Sequence, residues 1–201
     1  MKALICTEPF SLNYEEQEAP QPQSGETLLQ IKRIGICGTD LHAFEGTQPF
    51  FKYPVILGHE LAATIVETDA TGFTKGEAVT LLPYFNCGKC IACRMGKPNC
   101  CVNMKVFGVH TNGGMREFVT VPSSHLVHGM GLGFDELALV EPLAIGVHGI
   151  SRAMVLPGEF VLVVGAGPIG LGIMEFLRIA GAHVIAMDVN PKRLQFCKER
   201  R

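Results

Sequence analysis

The run CGKCIACRMGKPNCC places four cysteines, Cys87, Cys90, Cys93 and Cys101, at intervals of three, three and eight residues, with Cys100 beside the last of them. Zn²⁺ binds four thiolates tetrahedrally, and two-residue gaps let neighbouring ligands surround one ion from a tight loop. The segment has glycine and proline turns but too few large apolar side chains to bury a core of its own. The run therefore predicts a lobe that folds around a metal ion, because metal binding supplies the missing folding energy.

A disulfide cluster and a set of reduced structural thiols are the alternatives to a metal site. The amino terminus MKALICTEPF has a very short apolar run that ends at Glu8 and Pro9, which is unlike the apolar region of a signal peptide. Nothing in the chain indicates export, so we expect a cytoplasmic protein, and eight cysteines in a reducing compartment favour metal over disulfides. Spacing alone does not separate Cys100 from Cys101 as the fourth ligand.

The composition of the chain limits the kinds of partner that we expect it to bind. The 201 residues are 47% hydrophobic and carry a formal charge of −2, which is typical of a globular chain long enough for one large domain or parts of two. Neither nucleic-acid binding nor a polybasic membrane contact is indicated. The longest strongly apolar stretch without charges, residues 160–174, contains four glycines and is too short to span a bilayer. We therefore expect neither a nucleic-acid partner nor a membrane partner.

Short segments rich in β-branched and apolar residues dominate the chain up to about Val127 and predict an irregular β-rich domain. The predicted strands are residues 2–6, 27–36, 61–68, 78–82 and 117–121. From Asp135 onward, apolar residues recur at helical intervals, and Pro142 is expected to begin a second helix after a break. A helical connector is therefore predicted to follow the β-rich domain.

The pattern changes again after the connector. Residues 160–164 predict a buried strand, residues 168–180 a helix, and residues 183–187 a second strand. Asn190-Pro191 then supplies a capping residue and a first-turn proline for another helix. This β-α-β-α order is the opening of a parallel sheet.

The segment VVGAGPIG matches GxGxxG between the first of these strands and its helix. Gly165 permits the tight turn, Gly167 lets the backbone approach a pyrophosphate, and Gly170 allows close packing of helix on strand. The helix N-terminus faces the anion. The position of the motif between a strand and a helix makes it a strong indicator of a dinucleotide site. The structural alternative is a set of glycines that only forms a turn, in a protein that binds no dinucleotide.

Asp188 closes the second strand, 18 residues after Gly170, where a carboxylate accepts hydrogen bonds from a ribose hydroxyl. A 2′-phosphate would be repelled there, so NAD is favoured over NADP, while Lys192 and Arg193 lie close enough to keep the phosphate alternative open. The predicted cofactor-binding residues are Gly165, Gly167, Pro168, Gly170, Asp188 and Arg193.

Ligand-type residues occur in three further places: Cys37 in GICGTDLH, His59 and Glu60 in GHE, and Glu141 in VEP. A catalytic zinc site offers three protein ligands of mixed type and leaves one position for water or substrate. Taken one at a time, these residues are weak indicators of a zinc site. A cysteine such as Cys37 is also common in a hydrophobic core, and a glutamate such as Glu141 is also common at the start of a helix.

Together these motifs resemble the zinc-dependent medium-chain dehydrogenases, the superfamily of alcohol, sorbitol and threonine dehydrogenases. The resemblance rests on GICGTDLH, PVILGHE, the four-cysteine run, VEPLAIGVHG and VVGAGPIG, and it covers essentially the whole chain. It implies an α/β fold, with a GroES-like irregular β-barrel catalytic domain at residues 1–152 and a zinc lobe at about 86–103. Residues 153–201 are then the beginning of an NAD-binding Rossmann parallel sheet, truncated after two strands.

The resemblance also implies two zinc ions per chain. A structural zinc is assigned to Cys87, Cys90, Cys93 and Cys101, with a role in folding and subunit contact. The catalytic zinc is assigned to Cys37 and His59, with Glu60 and Glu141 both candidates for the remaining carboxylate.

Three further residues receive roles from the same resemblance. Asp40 is expected behind the metal, where it would orient the imidazole of His59. Thr39 and His42 resemble a proton-relay pair, with a turn hydroxyl and a surface histidine as the structural alternative.

The implied function is hydride transfer from a secondary alcohol, a polyol or a sugar acid, to NAD, and an L-threonine 3-dehydrogenase is the enzyme alternative. A non-catalytic zinc-binding or oligomerisation module is the alternative of another class. We expect a homo-dimer or homo-tetramer in the full-length protein. The 201 residues alone are expected to bind zinc but to show little NAD-linked turnover, because most of the cofactor sheet is missing.

Overall fold

The computed structural model describes residues 1–200 and divides the chain into two compact units, Met1–Leu139 and a second unit from Val140 onward. The strands are β1 (Lys2–Glu8), β2 (Ser11–Glu16), β3 (Glu26–Gly35), β4 (Glu60–Thr68), β5 (Ala78–Leu81), β6 (Tyr84–Phe85), β7 (Lys105–Val106), β8 (Phe118–Pro122), β9 (Leu126–His128), β10 (Phe160–Val164) and β11 (His183–Met187). The helices are α1 (Gly38–Glu45), α2 (Ile91–Arg94), α3 (Phe134–Ala138), α4 (Val140–Ala153), α5 (Pro168–Ile179) and α6 (Pro191–Glu199).

An antiparallel sheet of order β8-β3-β4-β5-β9 forms the centre of the first unit. Apolar residues on one face of these strands, together with Phe107 after β7, form its core, because alternate side chains of a strand point to the same side. The core contains Leu29, Leu61, Ala63, Ile65, Val79, Leu81, Phe107, Val119, Val121 and Leu126. The predicted α/β fold class with a β-rich first part is confirmed, and within residues 1–200 the sheet is open rather than closed into a barrel.

The pairing of β3 with β4 fixes the register of the first unit. Leu29 lies opposite Ile65 and Gly35 lies opposite Glu60, with irregularities after Leu28 and after Ile31. Because a slip of one residue would turn the core face of a strand outward, this register is strongly specified by the buried residues. It brings the end of β3 beside the start of β4.

Several elements of the first unit have little signal in the sequence. β2 pairs with β1, but five of its six residues are exposed, so it lacks the alternation of a half-buried strand. β6 and β7 are only two residues long and pair with each other around the cysteine lobe. α1 begins directly after Cys37, whose backbone adopts the extended conformation of a helix N-cap.

The second unit contains the parallel pair β10 and β11, with Phe160 opposite His183 and Val164 opposite Met187. α4 and α5 pack together, and α5 also contacts both strands. The core consists of Val163, Ala166, Met174, Leu177 and Ala182. The predicted bounds of both strands agree with the structure, since short apolar runs with flanking glycines and polar residues mark their ends.

The connector also forms as helices. α3 and α4 cover the predicted periodic segment, but α4 starts at Val140, so Pro142 lies within its first turn, where a missing N–H is tolerated. The predicted domain boundary after residue 152 stays a prediction. Within residues 1–200, none of the six helices combines the length and apolar character that a membrane span requires.

We expect Gly170→Ala to destabilise the second unit, because a Cβ at this position would lie 1.8 Å from the carbonyl oxygen of Gly165. Overpacking of this kind costs about 1–3 kcal/mol. Gly149→Ala is the matched control, since its Cβ would meet nothing within 4 Å and alanine favours a helix interior. Thermal unfolding followed by circular dichroism should show a lower midpoint for the first variant and an equal or higher one for the control. Equal midpoints for both variants would contradict the argument.

Candidate metal and cofactor sites

Cys37, His59 and Glu60 converge in the first unit, with one ligand atom of each lying within 4.8 Å of the other two. Cys37 precedes α1, and His59 and Glu60 lie at the start of β4. His59 and Glu60 are 6% and 7% exposed, and Cys37 is partly buried. A thiolate, an imidazole and a carboxylate in one cluster form the mixed donor set that suits a catalytic zinc ion.

Asp40 connects the two chain segments that carry this cluster. Its Oδ2 accepts a hydrogen bond from the backbone N–H of Cys37 at 2.9 Å, and its Oδ1 accepts one from the N–H of Gly58 at 3.0 Å. The same Oδ1 lies 3.8 Å from Nδ1 of His59. Asp40 therefore holds the backbone on both sides of the site, and its predicted role in orienting the imidazole of His59 stays a prediction.

The environment of Cys37 favours its thiolate form. A hydrogen bond with the side chain of His59 lowers the pKa of Cys37, burial opposes this shift, and the backbone and hydroxyl of Thr39 lower the pKa further. Because the thiolate is the form that binds metal, the donor set fits a cation.

Thr39 and His42 lie three residues apart on α1, so they share one side of the helix. Thr39 is half-buried beside the Cys37 thiol, whereas the side chain of His42 is 58% exposed. Nδ1 of His42 lies 3.3 Å from the hydroxyl of Thr47 and 3.6 Å from a carboxylate oxygen of Glu45. The pair thus extends from the cluster to solvent, and the relay role stays a prediction.

Glu141 is the second residue of α4 in the second unit and is 8% exposed. Its assignment as a zinc ligand stays a prediction. Glu60, in contrast, lies in the same cluster as Cys37 and His59.

The cysteine lobe brings four thiols together. The sulfur atoms of Cys87, Cys90, Cys93 and Cys101 all lie within 4.8 Å of one another, and all eight cysteines of the chain are free thiols. Cys100 is exposed and is not a member of this group. Four thiols at these separations fit a tetrahedral zinc ion.

Backbone and side-chain N–H groups surround the sulfur atoms of the lobe. The N–H groups of Lys89 and Cys90 lower the pKa of Cys87 to about 6. The amides of Asn86 and Asn103 lie 3.5 Å from Cys93 Sγ and 3.9 Å from Cys87 Sγ. Sequence reasoning missed these two asparagines, although both flank the cysteine run.

The dinucleotide loop has the predicted strand-turn-helix form. Gly165 follows β10 with a φ of +99°, a conformation that favours glycine, and Gly167 is the N-cap of α5. Pro168 occupies the first turn of that helix. The close contact at Gly170 lets α5 start directly above the turn.

Asp188 is part of the loop structure. Its Oδ2 accepts a hydrogen bond from the N–H of Ala166 and its Oδ1 one from the N–H of Asn190, both at 2.7 Å. Nη1 of Arg193 lies 3.5 Å from Oδ2, and a Cβ on Gly167 would lie 4.0 Å from that same nitrogen. Hydrogen bonds from Asn190 and Ala166 lower the pKa of Asp188, so it is ionised at neutral pH.

The comparisons with known proteins agree with this geometry. Residues 23–130, more than half of the chain, match the alcohol dehydrogenase GroES-like domain. The chain belongs to the zinc-dependent medium-chain alcohol dehydrogenase family. The resemblance of its motifs to that family is thereby confirmed.

Individual members of the family align over almost the whole chain. L-galactonate-5-dehydrogenase of Escherichia coli is 44% identical over 96% of this chain and 57% of its own length. Galactitol-1-phosphate dehydrogenase of Escherichia coli, at 25% identity, superimposes with a TM-score of 0.93 over 99% of this chain and 59% of its own. The RspB dehydrogenase of Escherichia coli, crystallised with NADH, is 34% identical with a TM-score of 0.90 over 99% and 60%. The chain thus spans less than two thirds of the length of each relative.

Within the lobe, we expect Cys90→Ser to lower the zinc content by one ion per chain and to lower the unfolding temperature, because three thiolates and a hydroxyl bind zinc less well than four thiolates. Cys100→Ser is the matched control and should retain the ion. Elemental analysis by mass spectrometry after dialysis measures the zinc content of both variants. Equal loss of zinc from the two variants would remove the basis for choosing Cys101 over Cys100.

Asp188→Asn should lower the urea midpoint of unfolding at pH 7, because an amide cannot accept both backbone hydrogen bonds as a carboxylate does. The folded-state pKa lies below the unfolded value of about 3.9. The stabilisation is therefore complete above pH 4 and is lost as the pH falls through the lowered pKa. Urea titrations at pH 7 and at pH 3 should show the difference from the original protein shrinking on acidification. A difference that is independent of pH would contradict this account.

Proposed function

We propose that this chain forms the zinc-binding part and the first cofactor-binding elements of an NAD-dependent dehydrogenase that oxidises a secondary alcohol of a polyol or sugar acid. The observation that carries the proposal is the convergence of Cys37, His59 and Glu60, which come from two separate chain segments, into one buried donor set. Donor sets of this type leave a coordination position for a substrate oxygen. The four-thiol lobe would hold a second, structural ion.

Zinc at this cluster would supply a Lewis acid that makes a bound hydroxyl easier to deprotonate. The residues of the chain supply the rest. The hydroxyl of Thr39, beside the Cys37 thiol, would accept the substrate proton while it passes its own proton on toward His42. The exposed side chain of His42 would release that proton to solvent. An imidazole suits this step because its ring nitrogens can both accept and donate a proton.

The dinucleotide loop favours NAD. Gly167 and the N-terminus of α5 would face the pyrophosphate, and the carboxylate of Asp188 would accept hydrogen bonds from a ribose hydroxyl. Oδ1 of Asp188 accepts one backbone N–H and has a further lone pair for this purpose, whereas Oδ2 also faces Arg193. The ionised carboxylate repels a 2′-phosphate. Arg193, at 3.5 Å from Asp188, partly balances that charge.

The proposed substrate class follows the relatives, whose names specify sugar acids and sugar alcohols. Such substrates are small polyhydroxylated molecules. We extend the proposal to a homo-dimer or homo-tetramer of the full-length protein, which light scattering would test. The cytoplasmic expectation stays a prediction.

The test uses the protein expressed from its complete natural reading frame. Polyols, aldonates and L-threonine are each supplied with NAD, and NADH is followed at 340 nm. We expect turnover with a polyol or an aldonate, and higher turnover with threonine would instead select the alternative enzyme.

Cys37→Ser should abolish this turnover and remove one of two zinc ions, because it deletes a ligand of the buried cluster. Cys100→Ser, the same change at an exposed thiol outside both groups, should leave both unchanged. An unchanged metal content in Cys37→Ser would contradict the catalytic assignment and favour a non-catalytic zinc module.

A further inference from the structure

Gly35, the last residue of β3, lies directly opposite Glu60, the first residue of β4. A Cβ built on Gly35 would lie 2.1 Å from Oε2 of Glu60, 2.8 Å from its Cβ and 3.1 Å from its Cδ. Directly opposed residues of antiparallel strands ordinarily keep their Cβ atoms about 4.5–5.5 Å apart. The two strands therefore approach more closely here than two side chains allow, and the Glu60 carboxylate occupies the volume that a side chain at position 35 would take.

The backbone conformation of Gly35 does not itself require glycine. Its φ lies outside the left-handed region that other residues avoid, in contrast to Gly58, whose φ is +90°. The lack of space beside Glu60 is therefore the reason that position 35 needs a residue without a side chain. A larger residue could not share this position with Glu60 as it lies here.

This clearance bears on the buried cluster because Glu60 is one of its three members. One carboxylate oxygen of Glu60 lies within 4.8 Å of ligand atoms of both Cys37 and His59. Gly35 is two residues before Cys37. The segment that carries the thiol therefore also leaves the space for the carboxylate. Displacement of the carboxylate by even one or two ångströms would change the donor set.

We propose that Gly35 is a positioning residue, whose missing side chain lets the Glu60 carboxylate turn toward Cys37 and His59 as part of the metal-binding set. The proposal rests on the proposed function, since it assumes that this cluster holds a metal ion. Gly35→Ala would force the carboxylate out of its place and would weaken metal retention at this cluster alone. The four-thiol lobe, which contains neither residue, would keep its ion.

The matched control is Gly38→Ala. Gly38 is the first residue of α1, a Cβ there would meet nothing within 4 Å, and its φ is also outside the left-handed region. The measurement is the rate at which each of the two zinc ions leaves the full-length protein in excess chelator. The lobe ion serves as an internal reference, because a merely structural weakening would speed both losses together.

We expect Gly35→Ala to speed the loss of one ion at least about tenfold, which corresponds to about 1.4 kcal/mol in the activation free energy of release. The other ion should be released as in the original protein. Gly38→Ala should release both ions as in the original protein. In a Glu60→Gly background, Gly35→Ala should add no further change in the ion-loss rate, since the carboxylate and the Cβ that it would meet are both absent. Unchanged release in Gly35→Ala, or an equal further effect in the Glu60→Gly background, would overturn the proposal.

The double variant Gly35→Ala/Glu60→Gly covers the case in which Gly35→Ala does not fold. It moves the glycine across the strand pair, so the methyl group introduced at position 35 gains the space that Glu60 occupied. We expect it to fold and to lose the ion as fast as Glu60→Gly alone. Failure of the double variant to fold would show that Gly35 is needed for a reason other than Glu60, which overturns the proposal.

The zinc content of Cys37→Ser separates this proposal from the proposed function. If Cys37→Ser loses one ion while Gly35→Ala retains both, only the role of Gly35 is wrong. If the original protein holds a lobe ion alone, the catalytic assignment and the role of Gly35 both fail.

Discussion

The carboxylate of Asp40 is the constraint on which the site in the first unit depends. It is 3% exposed and accepts backbone hydrogen bonds from Cys37 and from Gly58, two residues that lie on separate segments of the chain. Hydrogen bonds to a charged acceptor are stronger than neutral ones, and a buried N–H without a partner is costly. Asp40 thus couples the end of β3 to the start of β4 beyond what strand pairing alone supplies.

The two metal-type clusters are built in different ways. The lobe draws all four thiols from one stretch of 15 residues, from Cys87 to Cys101, so its donors are close before any long-range contact forms. The cluster of Cys37, His59 and Glu60 exists only when β3 and β4 pair in the observed register. Local chain geometry therefore brings together the thiols of the lobe. The cluster of Cys37, His59 and Glu60 depends instead on the core of the sheet, which fixes the pairing of β3 with β4.

Asp188, the residue proposed to bind a cofactor ribose, also holds the fold together. It fixes the glycine loop through Ala166 and the start of α6 through Asn190, and it presents a charge at the end of β11. A carboxylate can do this because each oxygen has more than one lone pair.

Elements with local signals could be predicted from the amino-acid sequence. Cysteine spacing indicated the lobe, GxGxxG between two apolar runs indicated the turn before α5, and the strands at residues 160–164 and 183–187 agree with the structure. These features depend on residues a few positions apart, where geometry follows from the chain itself. The predicted ligand and relay roles stay predictions.

The way in which distant segments meet became visible only in the folded chain. It showed that Glu60 lies with Cys37 and His59, that Asp40 binds two backbone N–H groups, and that Gly35 leaves room for a carboxylate. The sequence pattern did not predict β2 for the same reason. Its exposed residues form a strand because they pair with β1, and they show no alternation of their own. Register and clearance between strands are set by the packing of the whole core, and no local run of residues encodes them.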